Sequence, residues 1–189
     1  MMNFPYFFVI SGAPATGKTT LGYKLKEHYN LPFIYKDLIK ESLFDTLGIM
    51  DREWSGKLGI ASMVLIYKLL EENLSAKKSV IFESAFFGKQ ESAKMKVIIE
   101  NYKAKPIEIH CSGTKETILA RFMKREESVE RHKGHHRKNV LPDLQKRLDE
   151  NLYCKLDLNN KIIDIDTDDF SKIDFYGIID KITEYSKLT

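Results

Sequence analysis

Gly12-Ala13-Pro14-Ala15-Thr16-Gly17-Lys18-Thr19 fits the pattern G-x-x-x-x-G-K-S/T and follows the apolar run Tyr6-Phe7-Phe8-Val9-Ile10-Ser11. Such an octapeptide makes a phosphate-binding loop, the P-loop, when it joins a strand to a helix. The first turn of a helix carries backbone N–H groups without intrahelical partners and a positive partial charge. The stretch from Ala13 through Thr19, with Thr20 next in line, can therefore surround phosphates with donors. Gly12 and Gly17 permit the tight backbone path. Lys18 supplies a mobile charge for the β and γ phosphates, and the Thr19 hydroxyl is an oxygen ligand of the kind Mg²⁺ takes. A nucleoside triphosphate, ATP with Mg²⁺, is the expected cofactor pair.

In an open parallel sheet, ligands gather at the carboxyl ends of the strands. That rule selects Asp37, Glu83 and Ser112, each placed directly after a strand-like run. Phosphoryl transfer needs an oriented acceptor and relief of negative charge. A carboxylate that accepts the acceptor's hydroxyl proton is the usual positioning device, and Asp37 is the first choice for it. Glu83 is placed to hold a water on Mg²⁺ or to bind the substrate. For both carboxylates the plain alternative is a helix cap or a surface ion pair. Arg121 and Arg125, four apart, project together from a helix and suit a triphosphate or a purine face; a solvated helix face is the alternative. Arg131, His132, His135, His136 and Arg137 read individually as a solvated loop. The three histidines have a spacing that Gly134 interrupts, with no cysteine nearby to complete a zinc site. Thr167 and its backbone are placed to contact adenine or to form a polar turn. Asp45-Thr46-Leu47-Gly48 matches D-x-x-G at a helix end, but no N/T-K-x-D guanine motif follows, so the match is coincidental.

These groups have to be positioned by alternating strands and helices. A helix over residues 17–29 has Leu21, Leu25 and Tyr29 on one face, and a short strand at 31–35 leads into a helix that ends near Leu47 before Gly48. A loop is expected over 49–56, followed by a helix over 57–76 whose apolar residues cover more than one stripe, as in a helix packed on two sides. Strands at 79–83, 106–111 and 162–165 alternate with helices at 89–102, after Thr114 as N-cap, from 142 onward and over 174–187. In the helix after Thr114, Ile118, Leu119, Phe122 and Met123 form the core face. Strand-helix alternation predicts an α/β, three-layer P-loop NTPase fold: a five-stranded parallel sheet with helices on both faces. Residues 1–189 form a single domain. Its one small mobile lid, at approximately 121–141, has few apolar residues to hold it down.

Length and composition agree. A chain of 189 residues buries a substantial core without disulfides, and the two cysteines, Cys111 and Cys154, form no framework. No secretory leader or membrane-length apolar run is present, so a cytoplasmic protein is expected. The net charge of +3 is spread over interleaved acidic and basic residues, which counts against a nucleic-acid partner. The local excess between Arg121 and Lys138, seven basic side chains against Glu126, Glu127 and Glu130, is the exception.

The loop Gly12 to Thr19, the Asp37 after the second strand, Glu83, Arg121-x-x-x-Arg125 and the Ile165-Asp166-Thr167 turn together resemble the P-loop small-molecule kinases. Within these the chain is similar to the zeta-toxin-like, chloramphenicol-phosphotransferase-like and gluconate-kinase-like proteins. The resemblance implies an ATP- and Mg²⁺-dependent kinase acting on a hydroxyl of a small molecule, with Asp37 as base and Arg121 and Arg125 closing on ATP. Glu83 stands where such strands more often end in Asp. Residues 49–76, which would line the acceptor pocket, match no substrate signature; Arg52 and Trp54 stand there as candidates. A monomer or homodimer is expected. The alternatives are a kinase of nucleic-acid 5′ ends, which needs a basic channel, and a nucleotide-dependent regulatory module without transferase activity.

Overall fold

The computed structural model describes residues 5–135, 140–159 and 161–187. Five strands form one parallel sheet: β1 Tyr6–Gly12, β2 Phe33–Tyr35, β3 Val80–Glu83, β4 Lys105–Ser112 and β5 Lys161–Asp166, in the order β2-β3-β1-β4-β5. β1 is central and buried along its whole length because both of its faces are covered. Its alternating side chains sort between two cores. Tyr6, Phe8 and Ile10 pack with Leu21 and Leu25 of helix α1 (Lys18–Tyr29) and with Ile178, Ile179 and Ile182 of α7 (Phe175–Lys187). Phe7 and Val9 face Ile66, Leu70 and Leu74 of α3 (Arg52–Ser75) and Met95 and Ile98 of α4 (Gly88–Tyr102). The period of two along β1 thus yields the three-layer architecture directly.

The register places the functional ends together. Glu83 lies opposite Ile10 on one side and Tyr35 on the other, so its carboxylate sits between the start of the P-loop and the entry to α2 (Lys36–Leu47). Both edges of the sheet are protected from strand addition. β2 has only three residues, and on β5 Lys161, Asp164 and Asp166 are exposed while Ile163 and Ile165 are buried.

Two expectations are corrected. α3 begins at Arg52, inside the stretch read as a loop, because Asp51 caps it by accepting from Trp54 N at 2.8 Å. It is also packed on one side only. Ile60 is 70% exposed and Val64, Leu65 and Leu69 are exposed with it, since α2, the sheet and α4 together cover only the opposite stripe. On α5 (Lys115–Glu126), capped by Thr114 as expected, Ile118 and Phe122 are buried but Met123 faces outward.

A polar knot ties β1 and β4 to the segment before β5. Glu108, fully buried, accepts from Ser11 Oγ at 2.6 Å and from Leu156 N at 3.1 Å. Ser11 spends its one proton on Glu108, so His110 Nδ1, 2.8 Å from Ser11 Oγ, is the donor of that contact. Replacing Glu108 by Leu strands two buried donors. We expect Glu108→Leu to cost about 1–3 kcal/mol for each group left unpaired. Glu108→Gln, which keeps an acceptor for Leu156 N, is expected to cost less; urea denaturation measures both.

Candidate functional site

The turn from β1 into α1 has no room for side chains at the two glycines of the G-x-x-x-x-G-K-T pattern. Gly12 has φ +123°, and a Cβ there would lie 2.0 Å from the Cys111 carbonyl oxygen. Gly17 has φ +76°, and its Cβ would lie 1.7 Å from the ring of Phe170. Ala15, at φ 64°, also adopts the left-handed region. Thr16 and Lys18 both donate to the Ala13 carbonyl, at 2.8 and 2.6 Å, and this fixes the loop internally.

Lys18 is 6% exposed. Burial lowers its pKa, and the nearby Glu83 carboxylate acts in the opposite direction. Glu83 itself is 7% exposed; burial raises its pKa, opposed by Lys18 and by the hydrogen bond that Thr19 Oγ1 donates at 2.7 Å. Thr19 and Glu83 therefore present two adjacent oxygens beside a buried ammonium. This is a donor set that suits Mg²⁺, a hard cation that retains waters.

Asp37 lies in the first turn of α2, where the helix terminus favours a negative charge. Burial pulls its pKa up, but His135, Arg131, Arg125 and Lys18 outweigh this and hold it below the usual carboxylate range. Its side chain remains 44% exposed and opens into a cavity of about 580 Å³ shared with Lys18, Thr19, Glu83 and Arg125. On α5, Arg125 presses a guanidinium into this cavity. Its buried Nε has no hydrogen-bond partner among the described residues, and burial and Arg131 both disfavour its charge. A half-buried guanidinium with a buried donor left unpaired is suited to receive an anion.

Arg121 borders the same cavity near Phe170. It donates to the carbonyls of Thr167 and Asp168 at 2.6 and 2.8 Å, and its guanidinium lies 4.8 Å over the Phe170 ring. Arg121 and Arg125 line the same cavity from different sides, Arg121 held by the carbonyls after β5 and Arg125 beside Lys18 and Asp37. Thr167 is 1% exposed, turns its hydroxyl onto the Ser112 carbonyl at 2.7 Å and has its backbone N–H and C=O paired with Ser112 and Arg121, so Phe170 rather than Thr167 borders the cavity. Arg52 is engaged by Asp143, and Trp54 donates to the Gly48 carbonyl.

The largest departure from the sequence reading concerns residues 131–135. They are not a solvated loop but are docked on one face of α2, where Asp37, Glu41, Phe44 and Asp45 line up at helical spacing. Arg131 Nη1 is 3.6 Å from Asp37 Oδ2, and Arg131 Nε donates to Glu126 at 3.0 Å. His135 Nε2 is 2.9 Å from Glu41 Oε1 and 4.0 Å from Asp37 Oδ1. His132 reaches Asp45 at 3.1 Å and stacks on Phe44. Gly134 passes so close to Phe44 that a Cβ would lie 2.3 Å from its ring. Charge and aromatic packing anchor a segment with little aliphatic content. His136 and Arg137 lie outside the described residues.

Asp37, Glu41 and His135 each offer a ligand atom within 4.8 Å of one another. The Arg131 guanidinium beside Asp37 already supplies a cation there and opposes a dication. Glu41 and His135 were missed by sequence reasoning. The available signal was the acidic-aromatic stripe of α2 set against the basic run from Arg131 to His135.

The chain matches the AAA domain family AAA_33 over residues 7–150. Among solved structures, a protein of Chloroflexus aurantiacus j-10-fl, provisionally called a kinase, is 29% identical. That alignment covers 97% of this chain and 99% of the other, with a TM-score of 0.88. A gluconokinase from Sinorhizobium meliloti 1021 is 14% identical, covering 97% and 93%, with a TM-score of 0.55. Chaetomium thermophilum Kti12 in complex with ADP-AlF3 is 18% identical, covering 95% and 98%, with a TM-score of 0.64. The last two share the fold. No curated protein sequence matches. No helix among the described residues is long and apolar enough to cross a membrane.

Burial lowers the pKa of His135 to about 3, with Arg131, Lys40 and Arg125 acting in the same direction and Asp37 against them. Unfolded, an imidazole titrates near about 6.5. Between these values the unfolded chain binds a proton that the folded chain refuses. The contribution of neutral His135 to stability is thus complete above about pH 6.5 and is lost as the pH falls toward 3. The fall in Tm between pH 7 and 5 is expected to be shallower in His135→Gln than in the wild type. Parallel Tm–pH curves would show that His135 is not held neutral by its burial.

Proposed function

The chain belongs to the AAA domain family, of P-loop kinase type, and on that premise we propose that it is an ATP- and Mg²⁺-dependent phosphotransferase acting on a hydroxyl of a small molecule. One observation carries this reading. Buried Lys18, half-buried Arg125, the Thr19–Glu83 oxygen pair and the Asp37 carboxylate all border one cavity at the carboxyl ends of the strands.

In this reading the backbone from Gly12 to Thr20 holds the β and γ phosphates of ATP as substrate. Lys18 and Arg125 stabilise the charge on the transferring group, which in phosphoryl transfer is spread over its equatorial oxygens. Arg121, held in place by the Thr167 and Asp168 carbonyls, and Phe170 take the nucleoside end. Thr19 and Glu83 would hold Mg²⁺, which when bound neutralises charge between the β and γ phosphates. Asp37 accepts a hydrogen bond from the acceptor hydroxyl and orients its oxygen toward the γ phosphorus. As the new P–O bond forms, the bond to the β-phosphate oxygen breaks with its electron pair on ADP, and the hydroxyl proton passes to Asp37. A low carboxylate pKa suits this role, because in a loose transition state the base positions the acceptor more than it strips it early. The acceptor is a hydroxyl compound small enough to share the cavity with a triphosphate; a nucleotide and this acceptor are the expected partners.

A thermal-shift screen with Mg²⁺ and a non-hydrolysable ATP analogue against nucleosides, sugars, sugar nucleotides and antibiotics identifies the acceptor by a raised Tm. With it in hand, Lys18→Ala is expected to abolish transfer. Asp37→Asn is expected to lower kcat roughly 100-fold or more while calorimetric affinity for Mg·ATP stays near wild type. Near-normal transfer by Asp37→Asn would remove Asp37 from the role of base.

A further inference from the structure

Arg131 stands between two carboxylates. Its side chain is 11% exposed, its Nε–H donates to Glu126 Oε1 at 3.0 Å, and its Nη1 reaches Asp37 Oδ2 at the looser distance of 3.6 Å. The guanidinium can therefore release Asp37 and still be paired, because Glu126 keeps it neutralised. His135 limits how far the segment retreats, since its ring is 5% exposed, bonded to Glu41 one turn further along α2. The contact at Asp37 is the weak end of an otherwise well-anchored clasp.

We propose that Arg131 is a specificity-determining residue that discriminates the acceptor from water by occupying Asp37 until the acceptor displaces it. The inference rests on Asp37 as the acceptor-side base. Water brings one oxygen and no other groups, so it has no remote contacts from which to draw the binding energy that moves Arg131 off Asp37. A larger hydroxyl compound has such energy from its remote contacts in the cavity. In the wasteful reaction, water oxygen bonds to the γ phosphorus, the bond to the β-phosphate oxygen breaks with its electrons on ADP, and the water proton goes to Asp37. Arg131 on Asp37 raises the barrier to that step alone.

The test needs no acceptor: it is the rate of Mg·ATP hydrolysis to water. Arg131→Ala is expected to raise it about fivefold, the size of one partly buried ion pair. Arg131→Lys, which keeps the charge and loses the fork, is expected to fall between. Arg131→Ala combined with Asp37→Asn is expected to return to the wild-type rate or below. Unchanged or slower hydrolysis in Arg131→Ala, or a rate still elevated in the double variant, overturns the proposal. If Arg131→Ala does not fold, judged by its affinity for Mg·ATPγS, the Arg131→Lys rate decides in the same way. Lys18→Ala added to Arg131→Ala separates the two failures: hydrolysis that survives it refutes the phosphotransferase reading, whereas hydrolysis lost with Lys18 leaves the clasp alone in question.

Discussion

The constraint on which the site depends is the close passage of β1 into α1 beneath the end of β4. Gly12 lies against the Cys111 carbonyl and Gly17 against Phe170, at distances that leave no space for a methyl group. The backbone takes left-handed conformations at Gly12, Ala15 and Gly17, and the turn is held from within by Thr16 and Lys18 on one carbonyl oxygen. Everything functional is built outward from this knot. The loop sets where α1 starts, the register of β3 sets Glu83 against Thr19, and α2, entering straight from β2, brings Asp37 across from them. The apolar layers on either side of the sheet keep these charges from relaxing into solvent.

That confinement gives the charges their use. Lys18, Glu83 and Arg125 each sit where burial opposes ionisation; Glu83 offsets the two cations only in part, and Arg125 works against the charge on Lys18. An arrangement of this kind is unfavourable for stability taken by itself, and native structures keep such groups where binding or catalysis uses them. The face of α2 shows the opposite condition. There, Asp37, Glu41 and Asp45 are met by Arg131, His135 and His132, so the carboxylate proposed for chemistry belongs to a row that is mostly satisfied.

Much of the architecture was legible in the sequence because it rests on local patterns. The apolar runs fixed the five strands, the G-x-x-x-x-G-K-T spacing fixed the loop, and Thr114 announced α5. The failures share a cause. Asp51 as a cap was hidden by a stretch whose other residues read as loop. The outer stripe of α3 could not be known to lack a cover, since apolar composition does not say which neighbour arrives. The docking of Arg131 and His135 on α2 joins residues 94 positions apart, and single-residue propensities carry no information on such pairing. Only the complementary charge of the two stretches hinted at it. Arg121 was legible as an arginine near a nucleotide, but its direction was set by carbonyls after β5.

The flanks of the sheet have a bearing on how the protein behaves among other copies of itself. One border offers three residues of ladder and the other a strand whose outward positions are Lys161, Asp164 and Asp166, with Asp164 further held by Lys155 at 2.8 Å. A foreign strand meets too short a template on one side and a row of hydrated charge on the other. A parallel sheet assembles slowly, because its partners are distant along the chain, and half-made sheets are the species that clump. Guarded borders let this chain pass through that interval with its most adhesive surface, the apolar body of β1, enclosed from both sides.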